Sequence, residues 1–466
     1  MVLIQTTDNN YTRKLTDKEQ VARPDIERIA NLPIGKLKLD DRPNLLVFPR
    51  DLNHYGDDIS EGHILELQGD QISTGNIMGF IGVNDTQIDI RSRFAKEDGN
   101  DYFLHYMLQK VFAINLFDIK HTTDKEQVFD FLLYLFPYFL QKALGQGLYK
   151  KYRRFEYNDA NIRGPIDVSR HIRQNIPFRG TVAYSTREHS YDNEVTQLIR
   201  HTIEYIKTKA HGAHILSNNK ETKEAVNQIV MATQTYNVRE RQKVINQNLR
   251  PVRHPYYSAY TELQKICLQI LRHESLKYGQ EKDKVYGILF DGAWLWEEYL
   301  DKILQKSGYT HAENLTGKNP ITLYKGNPRY PDFYKTEQIK DFKYGDSIPD
   351  GNDILDAKYK PLDSKSDRDD IHQIITYMHI LPSKRSGLLY PCEKPATPKE
   401  YEVYGMGGKI RIIGLNVSHT CDDFSRYVGA MKKEELDLIS KINNSPCSPS
   451  SPTPPTTPPS SPASNP

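Results

Sequence analysis

Cysteine is scarce in this chain: four in 466 residues, Cys267, Cys392, Cys421 and Cys447, with no C-x-x-C pair among them. Isolated thiols supply neither a disulfide framework nor a cysteine-ligated zinc or iron–sulfur site, and their scatter suits a reducing compartment. A long apolar run is also missing. The longest, Val128 to Leu140, is interrupted by Asp130 and Pro137 and falls short of the ~20 residues a membrane-spanning helix needs. Residues Met1 to Asn10 lack the charged and apolar parts of a signal peptide. The expectation is a cytoplasmic protein with no membrane role. Nor is there an excess of one charge: 62 Lys and Arg against 60 Asp and Glu give +2. Nucleic-acid contact would therefore need local clusters. Three are candidates: Lys150 to Arg154, Arg170 to Arg179, and Arg239 to Arg253. For each, a solvated face with interspersed acids is the plainer reading. The last absence is a phosphate-cradling G-x-x-x-x-G-K-[ST] loop. At Gly317-Lys318, Ala312 stands where the first glycine belongs, and Asn319-Pro320 follows. This chain is expected to bind no nucleotide through such a loop.

What is present fits several domains. A hydrophobic fraction of 38% supports more than one core, and a mean hydropathy of -0.66 implies a strongly polar surface. The pattern predicts a multi-domain α+β protein. Residues 1–95 read as an N-terminal β-rich module, with strands at Asn44–Phe48, His63–Leu67, Asn76–Val83 and Gln87–Ile90 and a short helix near Lys18–Leu32. Residues 96–254 read as mainly helical, with i, i+3, i+4 apolar spacing in 101–112, 128–144, 192–209 and 220–236. Residues 255–444 read as an α/β domain with a mixed central sheet. Residues 445–466 are almost only Ser, Pro and Thr, nine of them proline, a composition that cannot bury a core and predicts disorder.

Chemistry concentrates in the third region. If Ile354–Tyr359 is a strand, Asp356 and Lys358 emerge on one face while Leu355, Ala357 and Tyr359 face the other way. Asp332, after Pro331 at the end of a preceding strand, can join them. Two carboxylates can hold a hard cation such as Mg2+, which takes oxygen ligands and keeps several waters. An adjacent ammonium can orient or deprotonate one of those waters and offset charge building on a phosphate. Acid-x-lysine triplets recur at Asp118, Glu221, Asp341 and Asp363, but only Asp356-Ala357-Lys358 has strand-like neighbours on both sides. The stretch Thr336–Asn352 reads as a polar insertion. Downstream, Arg368–Met378 predicts a helix in which Gln373 and Tyr377, four apart, share a face. Upstream, Leu289–Leu300 predicts an amphipathic helix carrying a third carboxylate at Glu297, with Glu298 its neighbour in phase. His372 and His379 read as surface or packing residues.

A helix glutamate, Pro331-Asp332, Asp356-x-Lys358 and Gln373-x-x-x-Tyr377 in this order resemble the PD-(D/E)xK nuclease superfamily. The longer phrases, Phe290-Asp291 with Leu295-Trp296-Glu297 and Asp356-Ala357-Lys358-Tyr359-Lys360, resemble the McrC nuclease subunits of McrBC- and LlaJI-type modification-dependent restriction systems. Further upstream, Arg163-Gly164-Pro165-Ile166-Asp167-Val168 and Tyr191-Asp192-Asn193 resemble the McrC linker region, so the likeness spans about residues 40–420. One departure is Arg91-Ser92-Arg93-Phe94, where those proteins commonly carry a Pro-Lys phrase. There Arg91 and Arg93 are candidates for touching a partner, whereas Arg163 and Asp167 read as a structural turn and ion pair.

The resemblance implies Mg2+-dependent cutting of double-stranded DNA carrying modified cytosine, driven by a separate McrB-like AAA+ GTPase that also reads the base. It implies Asp332, Asp356, the Ala357 carbonyl and Glu297 as metal ligands. Lys358 would steer the attacking water, and Gln373 and Tyr377 would position the lysine or a phosphate. The N-terminal module and the helical region would dock the motor. Two other classes stay open at this point: a RecB-like exonuclease acting on free ends, and a non-catalytic subunit that only stimulates the motor.

Overall fold

The computed structural model describes residues 2–34, 45–49, 62–84, 86–95, 101–112, 124–209, 212–217, 219–277, 285–312, 317, 319–336, 351–360, 368–405, 407–421 and 423–443. Most of the Thr336–Asn352 insertion, the triplets at Asp118, Asp341 and Asp363, and the 445–466 tail lie outside them.

Among the described residues, five strands form one mixed sheet in the order Val2–Thr7, Thr86–Arg91, Ile77–Val83, Val285–Asp291, Leu45–Phe48. The hairpin between Ile77–Val83 and Thr86–Arg91 turns at Asn84, φ 50°, a residue type that tolerates the left-handed region. Val285–Asp291 is the unexpected member. It runs antiparallel to Ile77–Val83 and parallel to Leu45–Phe48, so the boundary at 254/255 does not coincide with a break in the sheet. The helix expected from Leu289 begins instead at Gly292. A short apolar run buried on both faces has the same composition in a strand and in a buried helix, so periodicity cannot tell them apart. The switch is Asp291, whose Oδ1 accepts the Trp294 N–H at 2.8 Å and caps Gly292–Leu304. Gly79 (φ 122°) lies against the Val285 strand so tightly that a Cβ would sit 2.2 Å from the Ile288 carbonyl oxygen. Gly79→Ala is therefore expected to cost about 2–4 kcal/mol. Chemical denaturation checks this; an unchanged midpoint would mean the strands part freely.

The predicted helices of the second region form, over Tyr102–Phe112, Asp124–Leu144, Glu194–Lys207 and Lys220–Ala232. They share one core with Ala259–Lys277 and Gly292–Leu304. The region is not wholly helical. Lys151–Asp159 pairs with Val182–Ser190 as a long antiparallel hairpin, joined through the helix Val168–Asn175. The first four residues of Lys151–Asp159 are exposed on both faces, so the period-2 signal that marks a half-buried strand is missing. The Arg-Gly-Pro phrase acquires a structural reason here. A Cβ on Gly164 would meet the Ser185 carbonyl oxygen at 2.2 Å, and Asp167 caps Val168–Asn175 by accepting the Arg170 N–H at 3.1 Å. Arg163 lies over the Tyr157 ring at 4.8 Å and donates to the Tyr184 hydroxyl. Both residues are structural, but they do not pair with each other: the ion partner of Asp167 is Arg154, at 3.7 Å.

The third region forms a mixed sheet in the order Thr310–His311, Phe333–Lys335, Asp353–Ala357, Arg385–Cys392, Lys409–Asn416, Lys399–Glu402. Its pleat divides it cleanly. Leu355, Leu389 and Ile413 join the core beneath Gly292–Leu304 and Phe424–Asn443, while Ile354, Leu388 and Ile412 pack under Arg368–Ile380. Asp353 anchors the start of the central strand. It accepts two bonds from the buried Arg411 guanidinium at 2.5 and 2.7 Å and one from the Tyr309 hydroxyl at 2.8 Å.

Candidate active site

The ladder between Phe333–Lys335 and Asp353–Ala357 pairs Tyr334 with Ile354 and Phe333 with Leu355. Asp332 directly precedes Phe333, and Asp356 directly follows its ladder partner Leu355, so the two acids stand at the same end of the strand pair. The Asp332 carboxylate turns onto the partner strand and accepts the Ala357 N–H at 2.6 Å.

Asp356 is 1% exposed, and its Oδ1 has no hydrogen-bond partner. Burial, then the negative charge of Asp332, pushes its carboxyl up to about 7 against the opposing pull of Lys358. Lys358 lies just beyond the strand, on the face the alternation assigns it. Its Nζ stands 2.7 Å from Asp356 Oδ2, 3.5 Å from Asp370 Oδ1 and 3.2 Å from Gln373 Oε1. Burial pulls the pKa of this ammonium down. Asp356, Asp332 and Asp370 outweigh it and hold the lysine pKa above its ordinary value. Gln373 donates in turn to the Tyr377 hydroxyl at 3.1 Å, and Tyr377 is buried, its hydroxyl pushed up to about 12 chiefly by that burial. The helix Arg368–Ile380 thus puts Gln373 and Tyr377 in series behind the lysine, as their spacing predicts, while His372 and His379 are exposed.

Glu297 comes from the other layer, on Gly292–Leu304. The helix is held to the sheet where the Trp296 indole N–H donates to the Leu389 carbonyl at 3.3 Å. Glu297 is raised well above the usual carboxylate range, first by burial and then by Asp332, Glu298 and Asp356. His311 bridges the acids. Its Nε2 lies 3.6 Å from Glu297 Oε1, and its Nδ1 is 2.8 Å from the Asp332 carbonyl oxygen.

Two groups were missed in the sequence. His311 is a lone histidine in a polar run and left no signal. Asp370 lies in the first turn of its helix, and its place three residues before Gln373 marks it as sharing the lysine-facing side. It also meets Lys360 Nζ at 2.5 Å. Arg91 and Arg93 turn inward: Arg91 pairs with Asp89 at 3.0 Å and Arg93 with Asp8 at 2.8 Å.

The donor set suits Mg2+ in one way and not another. Among the described residues no three His, Cys, Asp or Glu side chains stand together as a closed metal cage. A cation held by two carboxylates, a backbone oxygen and waters needs no such cage. A buried carboxylate oxygen without a partner, inside a cluster with more acids than close lysines, is what such a cation would satisfy.

Comparison with known proteins agrees with this organisation. No curated relative matches the chain. Among solved structures, one described as a refined half-complex from a tetradecameric assembly of Thermococcus gammatolerans McrB AAA+ hexamers with bound McrC aligns over 95% of this chain and 100% of that one, at 16% identity and a TM-score of 0.50. The cryo-EM structure of the Thermococcus gammatolerans McrBC complex aligns over 67% of this chain and 89% of that one, at 14% identity, with a TM-score of 0.34 that is too low to establish a common fold. The model of the McrBC 5-methylcytosine restriction system component matches residues 72–391, which hold every site residue described above. The chain belongs to that family, as a McrC-like subunit of a restriction system.

Proposed function

We propose that this chain is the DNA-cutting subunit of its restriction system, a PD-(D/E)xK endonuclease that hydrolyses phosphodiesters with Mg2+ when assembled with a McrB-type AAA+ GTPase. One observation carries the reading: two carboxylates brought to one end of a strand pair, one buried with an unpartnered oxygen, beside a lysine held in its charged form.

Asp332 and Asp356 would hold the metal, with the Ala357 carbonyl and Glu297 completing the protein side. Mg2+ in that position supplies a Lewis acid and lowers the pKa of a bound water. The remaining work belongs to the chain. Lys358, surrounded by Asp356, Asp332 and Asp370, is held in its charged form in the metal-free site, where it can orient the nucleophile and offset phosphate charge. Gln373 fixes the ammonium through Oε1, and Tyr377 fixes Gln373. Asp370 shares the lysine with Asp356 and keeps it at the strand end. One such site cuts one strand, so a double-strand break needs two copies of the chain brought together.

The sequence has no phosphate loop of the G-x-x-x-x-G-K-[ST] type, and the resemblance to McrC assigns both the energy source and recognition of the modified base to a partner. The solved assembly named above, in which McrC is bound to McrB AAA+ hexamers, supports a partner of that kind. The surface we assign to it is the end of the hairpin formed by Lys151–Asp159 and Val182–Ser190. Around its tip Ile172, Ile176 and Phe178 are large apolar side chains left exposed, Phe178 at 68%, beside Arg173 and Arg179. Exposed apolar clusters of this sort mark protein contacts. Ile176→Asp with Phe178→Asp is expected to weaken the complex at least about 10-fold without lowering the melting temperature. Equal affinity in a pull-down titration would move the docking site elsewhere.

The functional test combines the chain, a McrB-type partner, GTP and Mg2+ with methylcytosine-containing DNA. Internal cutting that needs all of them is the expected result. Degradation from free ends without the partner would make the chain a RecB-like exonuclease. Stimulated GTP hydrolysis with intact DNA would make it a non-catalytic subunit.

A further inference from the structure

The N-terminal sheet touches both elements that build the acid cluster, through one polar network. Asp8, whose side chain is fully buried, accepts the Arg93 backbone N–H at 2.5 Å, Nη2 at 2.8 Å and Nε at 3.1 Å. The Arg93 guanidinium so fixed lies over the Tyr359 ring, 4.8 Å from its centroid. Tyr359 directly follows Lys358, and its hydroxyl reaches Met78 Sδ in the same N-terminal sheet at 3.5 Å. The network's other arm runs through Asn9, whose Nδ2 meets Asp8 Oδ2 at 2.8 Å and Asn76 Oδ1 at 3.2 Å. The backbone carbonyl of Asn76 accepts the Gly292 N–H at 2.8 Å.

Gly292 opens the helix that carries Glu297, and it is where the two arms meet. A Cβ there would lie 2.7 Å from Tyr359 Cε1 and 2.9 Å from Asn76 Oδ1. The tyrosine after the lysine and the first residue of the glutamate helix are therefore packed ring against backbone. The pair Asp8–Arg93 sets the position of that ring.

We infer that Asp8 and Arg93 are positioning residues for the nuclease centre: by clamping Tyr359 against Gly292 they fix the Glu297 helix relative to the Asp356–Lys358 strand end. The inference rests on the metal-dependent nuclease reading of that cluster. It gives the N-terminal module a role at the chemistry, beyond contact with a partner. A partner that shifts this sheet would move the third carboxylate against the other two. Groups that hold ligands from behind typically change metal affinity or activity about 10- to 100-fold when removed, and small displacements of this kind weigh heavily on positioned chemistry.

The test uses the full chain, first alone and then with its motor, as wild type, Arg93→Ala, Arg93→Lys, Tyr359→Leu and Asp356→Ala. Mn2+ binding is measured by calorimetry without DNA, and the rate and Mg2+ midpoint of cutting are measured in the assembled complex. Arg93→Ala and Tyr359→Leu are expected to weaken Mn2+ binding and to raise the Mg2+ midpoint by about 10-fold or more. DNA and motor affinity should be unchanged. Arg93→Lys, which keeps a cation for Asp8 and for the ring, should restore most of the loss. A residue that only stabilises the fold would lower the melting temperature and leave both metal readouts alone. If whichever of Arg93→Ala and Tyr359→Leu folds matches wild type within about twofold while Asp356→Ala is dead, the positioning role is wrong and the nuclease reading stands. If Asp356→Ala binds Mn2+ and cuts like wild type, the nuclease reading fails first.

Discussion

Asp356→Ala is expected to abolish Mg2+-dependent cutting of methylated DNA by the assembled complex, with a loss of at least about 1000-fold in rate. The size follows from the task assigned to the residue. A metal ion at a developing phosphate charge is worth several kcal/mol of transition-state stabilisation, and each ~1.4 kcal/mol is a factor of ten. Lys358 would also lose its nearest carboxylate, 2.7 Å away, so metal and ammonium are displaced together. Complex formation and GTP hydrolysis by the motor should be unaffected, because Asp356 is 1% exposed and cannot be part of a docking surface. Gel-based cleavage and a parallel GTPase assay separate the two outcomes. Cutting at the wild-type rate would place the chemistry elsewhere.

The same residue is expected to cost stability when no metal is bound. Asp356 is pushed up to about 7 from an ordinary 3.8, first by burial and then by Asp332. A carboxyl with a raised native pKa binds its proton more tightly in the folded chain than in the unfolded one. Its contribution to stability therefore falls as pH rises from about 4 to 7 and stays low above that. Glu297, raised by burial and by Asp332, adds to the trend in the same direction. The metal-free protein should thus melt lower at pH 8 than at pH 5. Asp356→Asn should melt higher than wild type at pH 8, by on the order of 1–2 kcal/mol, and the gain should shrink toward pH 5. The loss of one partner of Lys358 opposes this gain, but Asp370 remains 3.5 Å from the ammonium, and the cluster keeps fewer close cations than acids. Mg2+ should reverse the order, because it stabilises the chain that binds it and not the variant. Scanning calorimetry at the two pH values, with and without Mg2+, reads all of this. A variant less stable than wild type at pH 8 without metal would show that the Asp356–Lys358 pair outweighs the repulsion.

Much of the centre was legible because it obeys two local periodicities. Alternation along Asp353–Ala357 put Asp356 and Lys358 together, and the four-residue spacing of Gln373 and Tyr377 put both on one side of their helix. The strand pairing that brings Asp332 and Asp356 to one end had to be guessed, because register across a long insertion is not written in either strand. Contacts between layers were not legible at all. Nothing about a histidine in a polar run says that it will bridge Glu297 and the Asp332 backbone. Nothing about Val285–Asp291 says that it completes a sheet whose first strand is Val2–Thr7. The long hairpin was missed for the opposite reason: much of it is exposed on both faces, so burial imposes no pattern on its sequence. The pairing of Arg93 with Asp8 was not legible either. The two lie 85 residues apart in sequence.

The most direct test is crystallographic. Crystals of the full chain soaked in Mn2+ and measured near the manganese edge should show one anomalous peak about 2.1 Å from carboxylate oxygens of both Asp332 and Asp356, with Lys358 beside it. A map with no peak between those two side chains, from crystals in which Mn2+ is bound elsewhere, would contradict the central claim that this pair holds the catalytic cation.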